Sequence, residues 1–589
     1  MHFFKKYWIV LFYFVFNIVA RYGNAVQFDN VVYDKNHWVM DNVFEIKKRL
    51  SNLGLSLEEN LPKAKNVIFF IGDGMGLNTL TAARILKGQR NQQSGEYEKL
   101  IWDEFPSLAH VKTFTSNTMI GESAACATAM FTGVKTNSEV IGFDARTKFN
   151  NCSSHKQSSK LMTLFDWAQE AGLKTGFVTT TRVSHATPAA LYAHVSNRYW
   201  EDDSKVPVQY RKHCKDITRQ LVEGTPGRNI NVIMGGGRRS WLPLMPPEYG
   251  TKENQTNPKK GGRRLDARNL VYDWLKDKQH KGLKAKYVTN RSEMFGIGNE
   301  VDYLLGLFSY THLAFHADRS RDMETREQPS LLEMTRAALK VLNYNSTGFV
   351  LVVESGRIDH AHHHNNAYRA LDETLALEET VRDVIDSNLI DLRETLIIVT
   401  ADHAEGMLYS GYNTPIGSNI LGVDPSKSDA DGQYYPLLTY AAGTGNYAYE
   451  RNKHPKDTIQ PSTIPKSWGN HGGEDVPLFA AGPLSSTLFT GTIDQTYIPQ
   501  AIAYAMCISI HLERCNRQNN NENIEIYESE VKSNQWIDNF SSLLSVNIND
   551  TDFYIENRTN SDSKSTSLSY RNSYSLFVVL YLILNLSLF

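Results

Sequence analysis

Three short stretches of this 589-residue sequence place side chains that can hold divalent cations: Asp73 within Gly72-Asp73-Gly74-Met75-Gly76, Glu354 leading into "SGRIDHAHHH", and the adjacent pair Asp402-His403. Singly, each has an ordinary reading. Gly-Asp-Gly is a common turn, and a run such as His360, His362, His363 and His364 reads as a solvated face. The glycines do not follow the G-x-G-x-x-G spacing of a dinucleotide loop, and an acid there would repel a pyrophosphate. Asp359 and His363, however, stand four apart, so on a helical turn they project side by side and can chelate one ion. Aspartate with histidine is the ligand chemistry of zinc and magnesium, with imidazole favouring zinc. So many carboxylates at one place, without cations, would be prohibitively costly to bury. Together the stretches predict a multinuclear metal site.

A serine raises a second question. Ser123 heads "SAACATAMFTG" and reads first as the N-cap of a helix that stops at Gly133. As a nucleophile its hydroxyl must be ionised. A helix N-terminus stabilises an anion by up to about 2 kcal/mol. Zinc lowers the pKa of bound water from about 15.7 to about 7, worth roughly 12 kcal/mol. Only a metal has the required magnitude, and no G-x-S-x-G elbow surrounds Ser123.

The positioning elements follow from the flanking sequence. "VIFFI" (67–71), "FVTTT" (177–181), "NVIM" (231–234), "FVLVV" (349–353) and "LIIV" (396–399) read as strands of a parallel sheet covered on both faces. Helical stretches such as 367–389 alternate with them, which predicts an α/β fold. Three of these runs lead directly into the carboxylates, at the carboxyl strand edge where such sheets bind ligands.

The whole chain sets the context. Its 62 basic and 64 acidic residues give a net charge of -2, which argues against a general nucleic-acid binder. Lys5 and Lys6 precede an apolar run that ends near Gly23 and Ala25, a secretory signal peptide over residues 1–25. The apolar tail from Leu576 to Phe589 is too short to span a bilayer as a helix. Small residues at Ser561, Asp562 and Ser563, a polar spacer and this tail match a glycolipid-anchor signal. The expected attachment residue is Ser561, with 562–589 removed. Residues 516–561 are polar and read as a stalk. Five cysteines suit an oxidising compartment with two bridges and one thiol left over, although sequence leaves the pairing open. Sequons at Asn254, Asn290, Asn345, Asn539, Asn549 and Asn557 are candidate glycosylation sites.

The ordered motifs "NVIFFIGDGMG", "ESAACATA", "GFVTTTRVSHATPAALYAH", "NVIMGGGRR", "PSLLEMTRAAL", "FVLVVESGRIDHAHH", "YRALDET", "VTADHAEG" and "NHGGEDVPLFAAGP" carry a likeness over about 67–515. On them the chain resembles the eukaryotic alkaline phosphatases, in particular the glycolipid-anchored animal type. The resemblance implies a catalytic domain over 26–515, built on a large, mostly parallel sheet flanked by helices. The Gly/Tyr/Pro-rich insert 406–470 would form a crown-like surface subdomain near the contact of a homodimer. It implies one zinc on Asp359, His363 and His471, and a second on Asp73, Asp402 and His403 with Ser123 as the reacting ligand. Magnesium would take Asp73, Thr187 and Glu354, with His185 nearby through water. Arg198, in "VSNRYW", would grip the phosphate, and the disulfides would be Cys152–Cys214 and Cys507–Cys515. The implied reaction is two-step, in-line hydrolysis of phosphate monoesters through a phosphoserine at Ser123, at the extracellular face of the plasma membrane.

This chain departs from the family pattern at several places. Glu122 stands where Asp is usual before the serine, and is expected to pair with Arg198. Ala125 and Cys126 replace a usual Gly and Thr. Glu248 fits one ligand of the family's calcium site, but Ser309 and Gln328 stand where carboxylates are expected, so calcium binding should be weak or absent. A zinc phosphodiesterase or pyrophosphatase is the nearest competing function, and a non-catalytic ectodomain the next. A sulfatase is disfavoured because no C-x-P-x-R stretch is present.

Overall fold

Continuous runs of Val, Ile, Leu and Phe form strands that are buried on both faces, as helix-covered parallel strands must be. The computed structural model describes residues 33–57, 61–244, 261–298, 300–445 and 455–516, all of which fall in one unit, Met1–Glu522. The first eight strands are β1 (Asn66–Gly72), β2 (Ser107–Lys112), β3 (Lys174–Arg182), β4 (Val232–Gly236), β5 (Ala285–Val288), β6 (Tyr303–Leu307), β7 (Phe349–Ser355) and β8 (Thr395–Thr400). They are followed by β9 (Ala404–Glu405), β10 (Met407–Tyr409), β11 (Val423–Lys427), β12 (Tyr434–Pro436), β13 (Leu438–Gly443), β14 (Ser462–Pro465), β15 (His471–Gly472), β16 (Val476–Ala481) and β17 (Gly491–Asp494).

Ten strands form the central sheet, in the order β17-β2-β16-β8-β1-β7-β3-β4-β6-β5. Among the described strands of this sheet, only β16 runs against its neighbours. The five expected strands lie within β1, β3, β4, β7 and β8, and the helix expected over 367–389 spans Ala367–Asp386. Register matters most for the site. Ile71 of β1 pairs with Glu354 of β7 and Thr400 of β8, and Thr179 of β3 also pairs with Glu354. β8, β1 and β7 therefore end level, β3 runs on to Arg182, and the loops beyond them meet.

Within the insert, β10, β13 and β14 form a small sheet and β11 pairs with β12. Met407, Ile420, Leu438 and Tyr440 from this region pack with Ala82, Ile85 and Leu86 of the helix Leu77–Arg90, making a second apolar cluster. Cys152–Cys214 and Cys507–Cys515 are both bridged, with Cα–Cα distances of 6.3 and 6.0 Å. Cys126 is a buried free thiol. Among the described residues no helix is long and apolar enough to cross a membrane. The expected signal peptide, the expected stalk beyond residue 516, the expected anchor signal, Ser561, Glu248 and the sequons Asn254, Asn539, Asn549 and Asn557 lie outside the described residues. Of the remaining sequons, Asn345 is exposed, whereas the Asn290 side chain caps the helix Arg291–Phe295.

Candidate active site and metal centre

The loop after β1 delivers Asp73, the loop after β8 delivers Asp402 and His403, and the helix Arg357–His363 after β7 presents Asp359 and His363. His471 reaches the same place on β15, which pairs with β9 immediately after His403. The carboxylates of Asp73, Glu354, Asp359, Asp402 and Glu405 are all buried, none in a residue more than 4% exposed.

Two groups of donors form. In the first, Asp359 Oδ1 lies 3.3 Å from His363 Nε2 and 3.4 Å from His471 Nε2, and the two imidazole nitrogens are 3.3 Å apart. In the second, His403 Nε2 lies 3.4 Å from Asp73 Oδ1, 3.4 Å from Asp402 Oδ2 and 3.3 Å from Ser123 Oγ. A tetrahedral ion with bonds of about 2.0–2.1 Å needs donors about 3.3–3.4 Å apart, so both groups fit one. The rings of His403 and His471 stack at 3.7 Å, which sets the groups side by side.

Outer partners orient these donors. His363 Nδ1 lies 2.6 Å from the Gly469 carbonyl, His471 Nδ1 2.8 Å from that of Gly121, and His403 Nδ1 3.3 Å from that of Ala404. An Nδ1–H donated to a carbonyl leaves Nε2 with its lone pair facing the cluster. Gly121 has no room for a side chain, since a Cβ there would sit 2.3 Å from both Cys126 Sγ and the Thr113 carbonyl oxygen.

A third group joins Asp73, Glu354 and His185. The buried Thr187 hydroxyl lies beside Glu354, whose Oε2 also accepts from Thr179 and Thr181. Both Asp73 carboxylate oxygens lack a hydrogen-bond partner. Buried acceptors left unsatisfied in this way are what a cation would satisfy. Without one, burial drives Asp73 well above the usual carboxylate range, helped by Asp359, Asp402 and Glu354. Burial likewise pushes Asp402 up to about 6 and Glu354 to about 7. Burial acts on Asp359 in the same direction, but facing His363 and His471 hold its carboxyl low. Burial holds His403 well below its ordinary value, in the neutral form that a metal ligand requires.

Ser123 is not the helix cap that its sequence suggested. It is the first residue of the helix Ser123–Thr132, and Glu122 is the cap, accepting from the N–H groups of Ala124 and Ala125 at 2.8 Å each. The longer Glu side chain folds back over the first turn, so the serine hydroxyl is not consumed in capping and meets His403 instead. Gly133 ends the helix in the left-handed conformation, as expected. Glu122 also pairs with Arg198 Nη1 at 2.7 Å, and Arg198 Nη2 lies 3.3 Å from His185 Nε2. The guanidinium is thereby fixed beside both the serine and the third donor group.

Of the histidine run only His364 is exposed, so the run is not a solvated face. His362 is fully buried between the Thr79 hydroxyl (3.0 Å) and the Tyr440 hydroxyl (2.8 Å), while His360 packs on His185 and His312. Glu405, which sequence reasoning missed, closes on the first donor group. Its only local signal was its place three residues after Asp402. At the expected calcium positions, Ser309 Oγ accepts from Thr311 N and Gln328 Oε1 from Ala314 N.

The family model described as alkaline phosphatase matches residues 64–508. The tissue-nonspecific alkaline phosphatase of Gallus gallus is 40% identical over 465 residues, covering 77% of this chain and 86% of that protein. A membrane-bound alkaline phosphatase of Bombyx mori is 37% identical over 490 residues, covering 81% and 86%. Among solved structures, the alkaline phosphatase of Thermus thermophilus aligns with a TM-score of 0.51 at 22% identity, covering 78% of this chain and 98% of that one. That of the Antarctic bacterium TAB5 aligns at 0.51 and 19%, covering 76% and 100%, so these two establish the fold. A match of this extent, over a sheet whose level strand ends carry the donor groups, means that the chain belongs to the alkaline phosphatase family, whose reaction is the hydrolysis of phosphate monoesters.

Proposed function

We propose that this enzyme hydrolyses phosphate monoesters through a phosphoserine on Ser123, with zinc in the first two donor groups and magnesium in the third. The observation that carries the reading is Ser123 Oγ at 3.3 Å from His403 Nε2, the same spacing as the other donors of its group. When bound, the ions supply the Lewis acidity that makes a hydroxyl nucleophilic and accommodates negative charge on phosphate oxygens. The remaining work falls to the chain. Arg198, held by Glu122, offers its planar fork to two phosphate oxygens, which a lysine would not reproduce. Ser123 Oγ bonds to phosphorus as the ester P–O bond breaks, and the leaving oxygen departs as the alcohol. Water then cleaves the phosphoserine, releasing inorganic phosphate and restoring the hydroxyl.

Replacing Glu122 by Gln keeps the shape but removes the charge opposite Arg198. The inhibition constant for inorganic phosphate is expected to rise about tenfold, or ~1.4 kcal/mol; an unchanged constant would show the pairing to be irrelevant.

The same reading places the protein at the cell surface as a homodimer, with residues 26–515 as the catalytic domain and 406–470 as a crown-like contact element. A stalk over 516–561 would carry a glycolipid on Ser561, the signals 1–25 and 562–589 would be removed, and calcium would bind weakly or not at all. The membrane-bound name of the Bombyx mori relative supports the surface location. Acid quench during turnover of a phosphate monoester, followed by peptide mass analysis, should recover phosphate on Ser123. A diester turned over faster than the monoester, with no phosphoserine, would sink the proposal.

A further inference from the structure

We infer that Glu405 is a fourth protein ligand of the first metal, joining Asp359, His363 and His471. The inference deepens the proposed function and rests on its metal-dependent reading.

Three observations converge on Glu405. Its position is fixed by the backbone, because β9 pairs with β15 so that Glu405 lies directly opposite His471. Its side chain is wholly buried, and Oε1 lies 3.7 Å from His471 Nε2, a nitrogen that faces the ion, and 3.7 Å from His363 Nδ1, the nitrogen turned to Gly469. That oxygen has no hydrogen-bond partner, while Oε2 accepts from Gly406 N. Space for it is made by Gly74, which has a φ of +72°. A Cβ at Gly74 would come within 2.8 Å of Glu405 Cγ and 3.2 Å of Asp359 Cα. An unsatisfied acceptor is thus held by the fold against a donor group that already fits one ion.

Two buried carboxylates side by side repel unless a proton or a cation lies between them. Glu405 and Asp359 stand in this relation, within one group of donor atoms lying no more than 4.8 Å apart. A proton would make Glu405 a neutral hydrogen-bond partner of Asp359, and a cation would make it a ligand. The histidines favour the second arrangement, since His363 and His471 both direct Nε2 into the same space. Two carboxylates and two neutral imidazoles then balance the charge of one divalent ion.

The two roles separate on substitution. Glu405→Gln keeps size and can still donate to Asp359, but loses the anionic oxygen. Glu405→Ala loses both. The experiment uses the purified full chain, stripped and reloaded with Co2+, read by competitive chelator titration and by visible absorption of the bound ion. For a ligand, Glu405→Gln should match Glu405→Ala: one Co2+ equivalent weakens at least about tenfold, and its absorption changes with the altered coordination number. Glu405→Asp, which keeps the charge, should retain more of that affinity than either. If Glu405→Gln keeps wild-type affinity and absorption, the inference is overturned, whether or not Glu405→Ala departs. Failure of the wild-type chain to bind Co2+ at all would instead reject the metal-dependent reading. Zn2+ titration of the same proteins, monitored by thermal melting, supplies a readout for any variant with weak absorption.

Discussion

Ser123→Ala is expected to lower the turnover of phosphate monoesters by at least about a thousandfold, or ~4 kcal/mol of barrier, while the metal content stays unchanged. The separation of effects follows from the geometry. The 3.4 Å separations of His403 Nε2 from Asp73 Oδ1 and Asp402 Oδ2 do not involve the serine oxygen. Capping of the helix is also unaffected, because Glu122 rather than Ser123 accepts from Ala124 and Ala125. The variant should therefore fold, bind its ions and bind inorganic phosphate through Arg198, yet form no phosphoenzyme. Steady-state kinetics beside elemental analysis checks this. A variant retaining a tenth of wild-type turnover would remove Ser123 from the chemistry.

Chelation should produce the second large effect, abolishing activity and costing more stability as pH rises. Without cations, burial raises Glu354 from 4.5 to about 7 and Asp402 from 3.8 to about 6. Between the unfolded and folded values, these two groups bind more protons in the folded chain than in the unfolded one, so their contribution to stability falls as pH rises through that window. Glu354 alone accounts for about 3 kcal/mol between pH ~4.5 and ~7, with Asp402 acting in the same direction. Buried neutral histidines such as His360 and His362 act in the opposite direction, so the carboxylate contribution is read from the difference between the metal-loaded and chelated forms. Bound cations take the place of those protons, and their binding strengthens as the ligands lose protons. The metal-loaded protein should thus lack this contribution, and the gap between the two forms should widen with pH. A gap between the metal-loaded and chelated melting temperatures no larger at pH 8 than at pH 5 would contradict this account.

The sequence by itself determined what depends on local period and adjacency. Continuous apolar runs marked β1, β3, β4, β7 and β8 because a strand buried on both faces has no polar positions to interrupt it. The i,i+4 spacing of Asp359 and His363 and the adjacency of Asp402 and His403 are likewise properties of a few consecutive residues, so one pair in each of the first two donor groups was legible, as were the strand-end acids Asp73 and Glu354. His471 and Arg198 entered the sequence reading only through the family likeness, and Glu405 did not enter it. Tertiary structure decided these. Ser123 meets His403 across 280 residues, Arg198 meets Glu122 across 76, and His471 meets His363 across 108. It also gave the cap to Glu122, since only the folded site shows that carboxylate between a helix end and a guanidinium. The physical reason is that strand register and burial fix which distant side chains share a space, and neither leaves a period in the sequence around any one of them.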